Sequence, residues 1–355
     1  MSARLAAPST VFAAPEDNTA AEPPEHRGLH RDEVRLLVAD QRSIAHRLFR
    51  DLPSICGPAT CWSSTPRPRW PVRSTAGPLA AVPSSCMPRP TSMTGIGSSS
   101  CARLPMRAAR FLDGLVGEVV SLPDGLRVRL LAPYPKSGSS PTGRGNRLWR
   151  VQVIGTAELI GYLARHGRPI AYGYLNGRYG LADYQTIFAT RPGSAEMPSA
   201  APLHCGAGHP ACHERYRDGA DHPAHGSVVA GRPRGAAAGV VRGAGSHRAM
   251  GELRPSGRRG VVAVGTTVTR ALESAAGPGG TVTPRSGWTE MVITPEHGVT
   301  VVDGLITGWH NPEASHLLLV EAVAGVELTQ RAYDAAVAQR YLWHEFGDAG
   351  LLLAR

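Results

Sequence analysis

The sequence predicts an α+β fold, an irregular α/β body carrying an inserted small antiparallel β-barrel-like domain. Three observations carry that expectation. Strand-like and helix-like patterns are mixed without a regular alternation. Three strand patterns joined by turn chemistry cluster between residues 117 and 154. A short apolar run, Val261-Val262-Ala263-Val264, passes through Gly265-Thr266-Thr267 into a helical stretch reaching Leu272.

In chain order, residues 1–30 are rich in Ala, Pro and Glu without periodicity and are expected as a flexible lead-in. From Asp32 to Phe49 apolar residues recur loosely, with Val38 and Leu48 as expected core contacts. Gly117 to Val120 and Leu126 to Leu131 read as strands joined by Pro123-Asp124-Gly125, where Pro presets φ and Gly accepts a positive φ. Leu126, Val128 and Leu130 alternate with Arg127 and Arg129, as in a half-buried strand, and Arg147 to Ile154 gives a third strand. Thr156 is placed to cap a helix bearing Leu159, Ile160 and Leu163 on one face, closed by Gly167 and Pro169. Tyr172 to Ala200, rich in Gly, Tyr and small polar residues, reads as a structured functional loop. Val301 to Ile306 and Leu317 to Val323 are strand candidates around a loop holding His310, Asn311 and Pro312, and Thr329 is placed to cap a helix with Tyr333, Val337 and Tyr341 at fourfold spacing. The expected division is a main catalytic domain of residues 31–70 and 156–355 and a small β domain of residues 71–155.

The net charge of +10 is unevenly distributed. Residues 53–110 hold seven Arg and no acid, giving +7; residues 203–259 hold nine Arg against four acids, giving +5; subtracting that +12 from +10 leaves the rest at −2. All six cysteines, Cys56, Cys61, Cys86, Cys101, Cys205 and Cys212, lie in the same two windows. Cys205 and Cys212 with His204, His209, His213, His222 and His225 supply zinc-ligand types, but no Cys-x-x-Cys pair occurs. No window approaches the roughly 18 apolar residues of a membrane span. The expectation is a cytoplasmic monomer with no membrane association.

Several motifs point to one family. Val262-Ala263-Val264-Gly265-Thr266-Thr267-Val268-Thr269-Arg270-Ala271-Leu272-Glu273-Ser274 closely resembles a signature of the S-adenosylmethionine:tRNA ribosyltransferase-isomerases of queuosine biosynthesis. Val302-Asp303-Gly304-Leu305-Ile306-Thr307-Gly308-Trp309-His310-Asn311-Pro312-Glu313-Ala314-Ser315 resembles that family's Val-Asp-Ala-Leu-x-Thr-Asn-Phe-His-Leu-Pro-x-Ser segment, with Gly308, Trp309 and Asn311 departing from it. Phe346-Gly347-Asp348-Ala349 is similar to its Tyr-Gly-Asp-Ala ending. Tyr184-Gln185-Thr186, Pro192-Gly193-Ser194-Ala195 and Pro198-Ser199-Ala200 resemble its Tyr-Gln-Thr and Pro-Gly-x-x-x-x-Pro-Thr-Ala elements.

Two family elements are missing where the odd windows stand, and reading those windows in a shifted frame restores them. Thr60-Cys61-Trp62-Ser63-Ser64-Thr65-Pro66, back-translated and re-read from each third base, permits Leu-Leu-Val-Val-Asn-Thr, the text that follows the family's Pro-Gly-Asp. Asp221 to Val229, re-read in the opposite offset, permits Ile-Thr-Arg-His-Thr-Gly-Val-Ser-Ser, close to the family's Thr-Leu-His-x-Gly element. Residues 53–110 and 203–259 are therefore read as out-of-frame text. Their Cys and His residues were then never selected as ligands, and no metal is expected.

The resemblance implies transfer and isomerisation of the ribosyl group of S-adenosylmethionine onto 7-aminomethyl-7-deazaguanine at the tRNA wobble position, with release of adenine and methionine. S-adenosylmethionine acts as ribosyl donor and the tRNA anticodon region as partner. Such a reaction needs a base near the sulfonium-activated 5′ carbon, stabilisation of departing adenine and a dry site. For that chemistry His310, in a loop between apolar strands and with an ordinary pKa near neutrality, is the first candidate for acid or base work, and Asp303 and Arg270 are the other catalytic candidates. The substrate-binding candidates are Tyr184, Gln185, Thr186, Gly193, Pro198, Gly265, Thr266, Thr267, Glu273, Thr307 and Asp348. Each residue also has a purely structural reading. Gly265-Thr266-Thr267 is equally an ordinary helix start. Arg270 can pair internally with Glu273 or Asp303 rather than with phosphate or carboxylate. His310 can serve its own loop, Asp303 can fix the strand end, Asp348 can be a turn residue, and Tyr184 can be core. Two other functions remain open at this point: a basic nucleic-acid-binding protein without catalysis, and a non-functional frame-shifted product. Replacement of two core-bearing segments is expected to exceed a native stability of about 5–15 kcal/mol.

Overall fold

The computed structural model describes residues 7–55, 114–134, 148–155, 159–167, 172–186, 260–282, 291–312 and 314–354. It also describes the short strands given below and isolated positions between 137 and 200. Cys205, Cys212 and their neighbouring histidines, set aside above as metal ligands, lie outside the described residues, as do Gly193, Pro198, Thr156 and most of residues 53–110 and 203–259.

The central layer is a mixed six-stranded sheet. Its strands are β1 (Arg35–Ala39), β2 (Ile44–Leu48), β3 (Cys61–Ser63), β12 (Val261–Val264), β14 (Gly304–Gly308) and β15 (Ala349–Leu353), in the spatial order β2-β1-β15-β14-β12-β3. β12 runs parallel to β14 and β3, β1 runs parallel to β15, and β14 and β15 are antiparallel. The C-terminal ends of β12 and β14 therefore share one edge with the N-terminal ends of β1 and β15. β12 and β14 are buried along their whole length, which is why they read as continuous apolar runs rather than alternating ones.

A short helix α1 (Leu52–Ile55) follows β2. Helices α3 (Thr266–Ala275), α4 (His316–Ala324) and α5 (Val326–Ala338) complete the body. One core cluster joins Val268 and Leu272 of α3, Leu317 and Val320 of α4, Leu328, Ala332 and Tyr333 of α5, and Trp309 and Trp343. Leu317 to Val323, expected as a strand, is helix α4. Leu317, Leu318, Leu319, Val320 and Val323 are all buried, so the helix is apolar around most of its circumference and shows no amphipathic period. β14 starts only at Gly304, because the Val301 and Val302 N–H groups donate to the Glu273 carboxylate at 2.9 and 3.0 Å instead of joining a ladder. α5 begins at Val326, with Gly325 as N-cap at φ 81°, while Thr329 Oγ1 donates back to Gly325 O at 2.7 Å from inside the helix. In β1 the core is made by Leu36, Leu37 and Ala39, whereas Val38 and Leu48 are only partly buried.

Residues 7–30, expected as a flexible lead-in, form a strap across the body. Phe12 stacks on Tyr333 at 4.6 Å, Thr10 N and Oγ1 both donate to Glu321 Oε1 at 2.7 Å, and Asn18 and Ala20 exchange backbone hydrogen bonds with Trp343. The anchoring is by single residues reaching distant partners, which leaves no periodicity to read.

The second sheet holds β4 (Leu79–Ala81), β5 (Ile96–Arg103), β7 (Val119–Ser121), β8 (Arg127–Tyr134) and β9 (Leu148–Ile154) in the order β4-β5-β9-β8-β7, with β6 (Ala109–Arg110) on β5. All its pairings are antiparallel. Among the described residues it is an open path with no closing pair, so the barrel-like shape expected for it is not found. Val120, Val128, Leu130, Trp149 and Val151 form its core face, and α2 (Leu159–His166) adds Tyr162 and Leu163 beside Leu126. A three-stranded sheet of β10 (Gly226–Ser227), β11 (Gly239–Arg242) and β13 (Ser286–Thr289) completes the described strands.

Candidate active site

The family-like segments that the structure brings together meet at the edge where β12 and β14 end. In open sheets with parallel strands, such C-terminal edges are the usual ligand site. Gly265 takes φ 95°, a value that L side chains rarely adopt, and its N–H donates to Ile306 O at 2.8 Å, locking the two strand ends together. The Val268 and Thr269 N–H groups return to Gly265 O. Those of Thr266 and Thr267 have no acceptor among the described residues, so they remain available at the positive end of α3. Ala200 packs over Gly265 and Ser199 over Gly308. A Cβ on these glycines would stand 3.6 Å from Ala200 Cβ and 3.3 Å from Ser199 Oγ.

His310 leaves the sheet two residues after β14. Its ring stacks on that of His316, at the start of α4, with centroids 4.2 Å apart. Burial pushes the His310 imidazole well below its ordinary pKa, and the neighbouring His316 and His344 act in the same direction; His316 is itself lowered by burial. His310 is therefore a neutral imidazole at pH 7, able to accept a proton. His344, at φ 72°, stacks on Tyr174 at 4.6 Å, and Tyr174 stacks on Tyr172 at 5.5 Å. Tyr172 and Tyr174 are thus tied to His344.

The last strand closes the site from the other side. Asp348 is buried and accepts from Arg35 N at 2.8 Å, Arg35 Nε at 3.0 Å and Leu342 N at 2.8 Å. Arg35 also lies over the Tyr341 ring at 4.3 Å. From the strap, Arg27 Nη2 donates to Phe346 O at 2.8 Å, while its buried Nε–H has no partner among the described residues. Burial lowers the Arg27 pKa, against the opposing pull of Asp348, Glu22 and Glu25.

The remaining expected residues divide clearly. Tyr184 is 1% exposed and packs on Phe346 at 5.1 Å, so its ring belongs to the core and presents no face to a base. Gln185 is partly buried beside it, and Thr186 is buried with no partner for its hydroxyl among the described residues. Thr307 is buried, and its hydroxyl donates to Gly308 O at 3.1 Å. Glu273 is buried and accepts the N–H groups of Thr300, Val301 and Val302, so it holds the approach to β14 rather than facing the site. Arg270 Nη2 donates to Thr289 O at 3.2 Å, and burial lowers its pKa, partly offset by Tyr134. Asp303 stands at the opposite end of β14 from His310, where Oδ2 accepts Val261 N–H at 3.0 Å. Gly193 and Pro198 lie outside the described residues. Among the described residues no three His, Cys, Asp or Glu side chains converge as metal ligands. No helix there is long and apolar enough to cross a membrane.

Arg27, Arg35, His316, His344 and Tyr174 were not singled out from the sequence. The available signal was the Arg-Leu-Leu-Val run opening β1, which places one basic residue immediately before a buried strand.

A family model described as queuosine biosynthesis protein matches residues 244–352. An S-adenosylmethionine:tRNA ribosyltransferase-isomerase of Symbiobacterium thermophilum is 32% identical, over 96% of this chain and 97% of its own. The chain belongs to the S-adenosylmethionine:tRNA ribosyltransferase-isomerase family. Members with the same name from Pelotomaculum thermopropionicum, 32% identical over 96% of this chain and 97% of their own, and Thermus thermophilus, 31% identical over 91% and 93%, are similarly related. A solved structure, an S-adenosylmethionine tRNA ribosyltransferase of Thermotoga maritima, aligns over 96% of this chain and 99% of that chain at TM-score 0.46 and 20% identity. The family's Asn-Phe-His triplet appears here as Gly308-Trp309-His310. Gly350 is what admits the larger ring, for a Cβ there would stand 2.9 Å from Trp309 Cζ2.

Proposed function

We propose that this chain catalyses the family's reaction, transfer and isomerisation of the ribosyl moiety of S-adenosylmethionine onto 7-aminomethyl-7-deazaguanine in the anticodon region of tRNA. The observation that supports this most is the meeting of Gly265-Thr266-Thr267, Ser199-Ala200, Gly308-Trp309-His310 and Phe346-Gly347-Asp348 on one sheet edge, in a chain related to ribosyltransferase-isomerases along 96% of its length.

In this reading His310, neutral and stacked on the His316 ring, is the base at the sulfonium-activated 5′ carbon. The free N–H groups of Thr266 and Thr267 receive a carboxylate or ribose oxygen of S-adenosylmethionine. Asp348 positions Arg35 and the chain around Leu342, and Thr307 fixes the carbonyl of Gly308. Arg270 takes a role toward the RNA, while Asp303 and Glu273 hold the two ends of the β14 approach. Gln185 and Thr186 border the site from the Tyr184 side, with Gly193 and Pro198 on the same segment. S-adenosylmethionine is consumed as a substrate, and the reading needs no metal. Residues 31–70 and 156–355 act as the catalytic domain and residues 71–155 as an inserted β domain, a division supported by strand membership of the two larger sheets. The enzyme works in the cytoplasm as a monomer, where its tRNA is found.

The test is chromatographic. Incubation with S-adenosylmethionine and tRNA bearing the precursor base is expected to release adenine and methionine in equal amounts, and His310→Ala is expected to stop it. Adenine release that needs no tRNA, or persists in His310→Ala, would remove the assignment.

A further inference from the structure

The second sheet has two unlike faces. Val128, Leu130, Trp149 and Val151 point into its core, whereas Arg127, Arg129 and Arg150 are exposed on the opposite side. The register sets Arg129 opposite Gln152 and Ala132 opposite Arg150. Arg127 and Arg129 are therefore about 7 Å apart along one strand, and Arg129 and Arg150 are diagonal cross-strand neighbours about 7–8 Å apart.

A solvated sheet face needs only polar residues, and neighbouring like charges on it cost stability. Yet from Gly125 to Ala157 the chain carries Arg127, Arg129, Lys136, Arg144, Arg147 and Arg150 with no Asp or Glu, a local charge of +6. Text outside the two out-of-frame windows totals −2, and subtracting +6 leaves −8 for the rest of it. In sequence, the net positive charge outside those windows thus falls in the stretch that holds β8 and β9, whose described members Arg127, Arg129 and Arg150 are all exposed. This asymmetry marks a surface built for an anionic partner rather than for solubility.

The face also leads to the candidate site. Beyond the irregularity between Leu130 and Ala132, the strand brings Tyr134 to the side of Arg150, whose guanidinium lies 5.6 Å from the Tyr134 ring centroid. Tyr134 in turn neighbours Arg270 of α3, one turn along from Thr266 and Thr267. Arg127, Arg129, Arg150, Tyr134 and Arg270 follow one another from the outer sheet to the helix whose start forms part of the active-site edge.

We infer that the Arg127–Arg129–Arg150 face is the docking surface for the sugar-phosphate backbone of the RNA substrate, holding it while one of its bases reaches the edge at Gly265 and His310. The inference rests on the proposed reaction. Phosphate contacts of this kind fix register and orientation without reading sequence, and they make binding steeply salt-dependent.

The experiment measures fluorescence anisotropy of an end-labelled tRNA transcript against the full chain between 50 and 300 mM salt, with adenine release followed in parallel. Arg127→Glu/Arg129→Glu is expected to weaken binding at least tenfold, whereas Arg127→Lys/Arg129→Lys stays within about threefold of wild type. The neutral pair Arg127→Gln/Arg129→Gln is expected to flatten the log–log salt slope by about 1.4–1.8, for two phosphate contacts at about 0.7–0.9 each. It also serves if the Glu pair fails to fold. Arg47→Glu, an exposed change on β2, is expected to leave binding unchanged. Unaltered affinity and slope in the neutral pair, with wild-type tRNA binding and adenine release intact, would overturn the docking surface and leave the reaction standing. A wild-type chain that releases no adenine with tRNA would overturn the reaction. Binding of anionic phosphatidylserine vesicles in place of tRNA would assign the face to a lipid surface and overturn the inference.

Discussion

Glu273 tests how the site's framework is held. Its carboxylate is 4% exposed and accepts three backbone N–H groups, from Thr300 at 2.9 Å, Val301 at 2.9 Å and Val302 at 3.0 Å. Glu273→Ala leaves all three without their acceptor. Thr300 is exposed and regains water, but Val301 and Val302 are buried. Each orphaned buried donor costs about 1–3 kcal/mol, so the variant should lose about 2–6 kcal/mol. With an m-value of about 3 kcal/mol per M, the urea midpoint should fall by roughly 1–2 M. The buried Trp309 and Trp343 supply a fluorescence readout of the transition. S-adenosylmethionine affinity of the folded variant, measured by calorimetry in the absence of urea, should be unchanged. A variant with wild-type stability and weakened S-adenosylmethionine binding would refute the structural role and return Glu273 to the ligand.

Three further outcomes follow from the same geometry. Because burial holds the His310 pKa well below 6.5, the unfolded chain takes up a proton there before the native one does. Stability should therefore fall as pH drops below about 6.5, His310→Asn should flatten that dependence in urea titrations at pH 5 to 8, and the acid limb of kcat/KM should lie below 6.5. Gly347→Ala should prevent closure of the last strand, since the added Cβ would stand 2.4 Å from Leu342 O. Loss of soluble protein or a fall in Tm above 10 °C checks it by thermal melt, and a wild-type Tm counts against it. A chain with residues 53–110 and 203–259 restored to the alternative frames should melt more cooperatively and release adenine faster than the printed sequence; equal behaviour of the two would dismiss the frame reading.

How much of this was legible depended on whether the signal was local. Val261 to Val264 stood out because a parallel strand buried on both faces is apolar throughout, and Gly265-Thr266-Thr267 marks the turn into α3. The β7–β8–β9 hairpins were legible because one face is solvated, so Arg127 and Arg129 alternate with Val128 and Leu130. Leu317 to Val323 was misread because full burial removes the period that separates helix from strand. The strap at residues 7–30 was missed because Phe12 and Thr10 find partners more than 300 positions away. Within the site, His310 and Asp303 are seven positions apart and look like neighbours in the text. Extended chain at about 3.3 Å per residue instead sets them roughly 20 Å apart, at opposite ends of β14. Asp348 was legible as a motif residue, but its partner Arg35 was not, since only the parallel pairing of β1 with β15 brings them together.

The most direct test of the account follows the fate of the donor. S-adenosylmethionine labelled in parallel samples in the ribose and in the methyl group is incubated with the enzyme and precursor-bearing tRNA, and the washed tRNA is counted. Ribose label entering the tRNA while methyl label stays behind with methionine is the predicted result. Methyl label on the tRNA, or neither label, would contradict ribosyl transfer from this site.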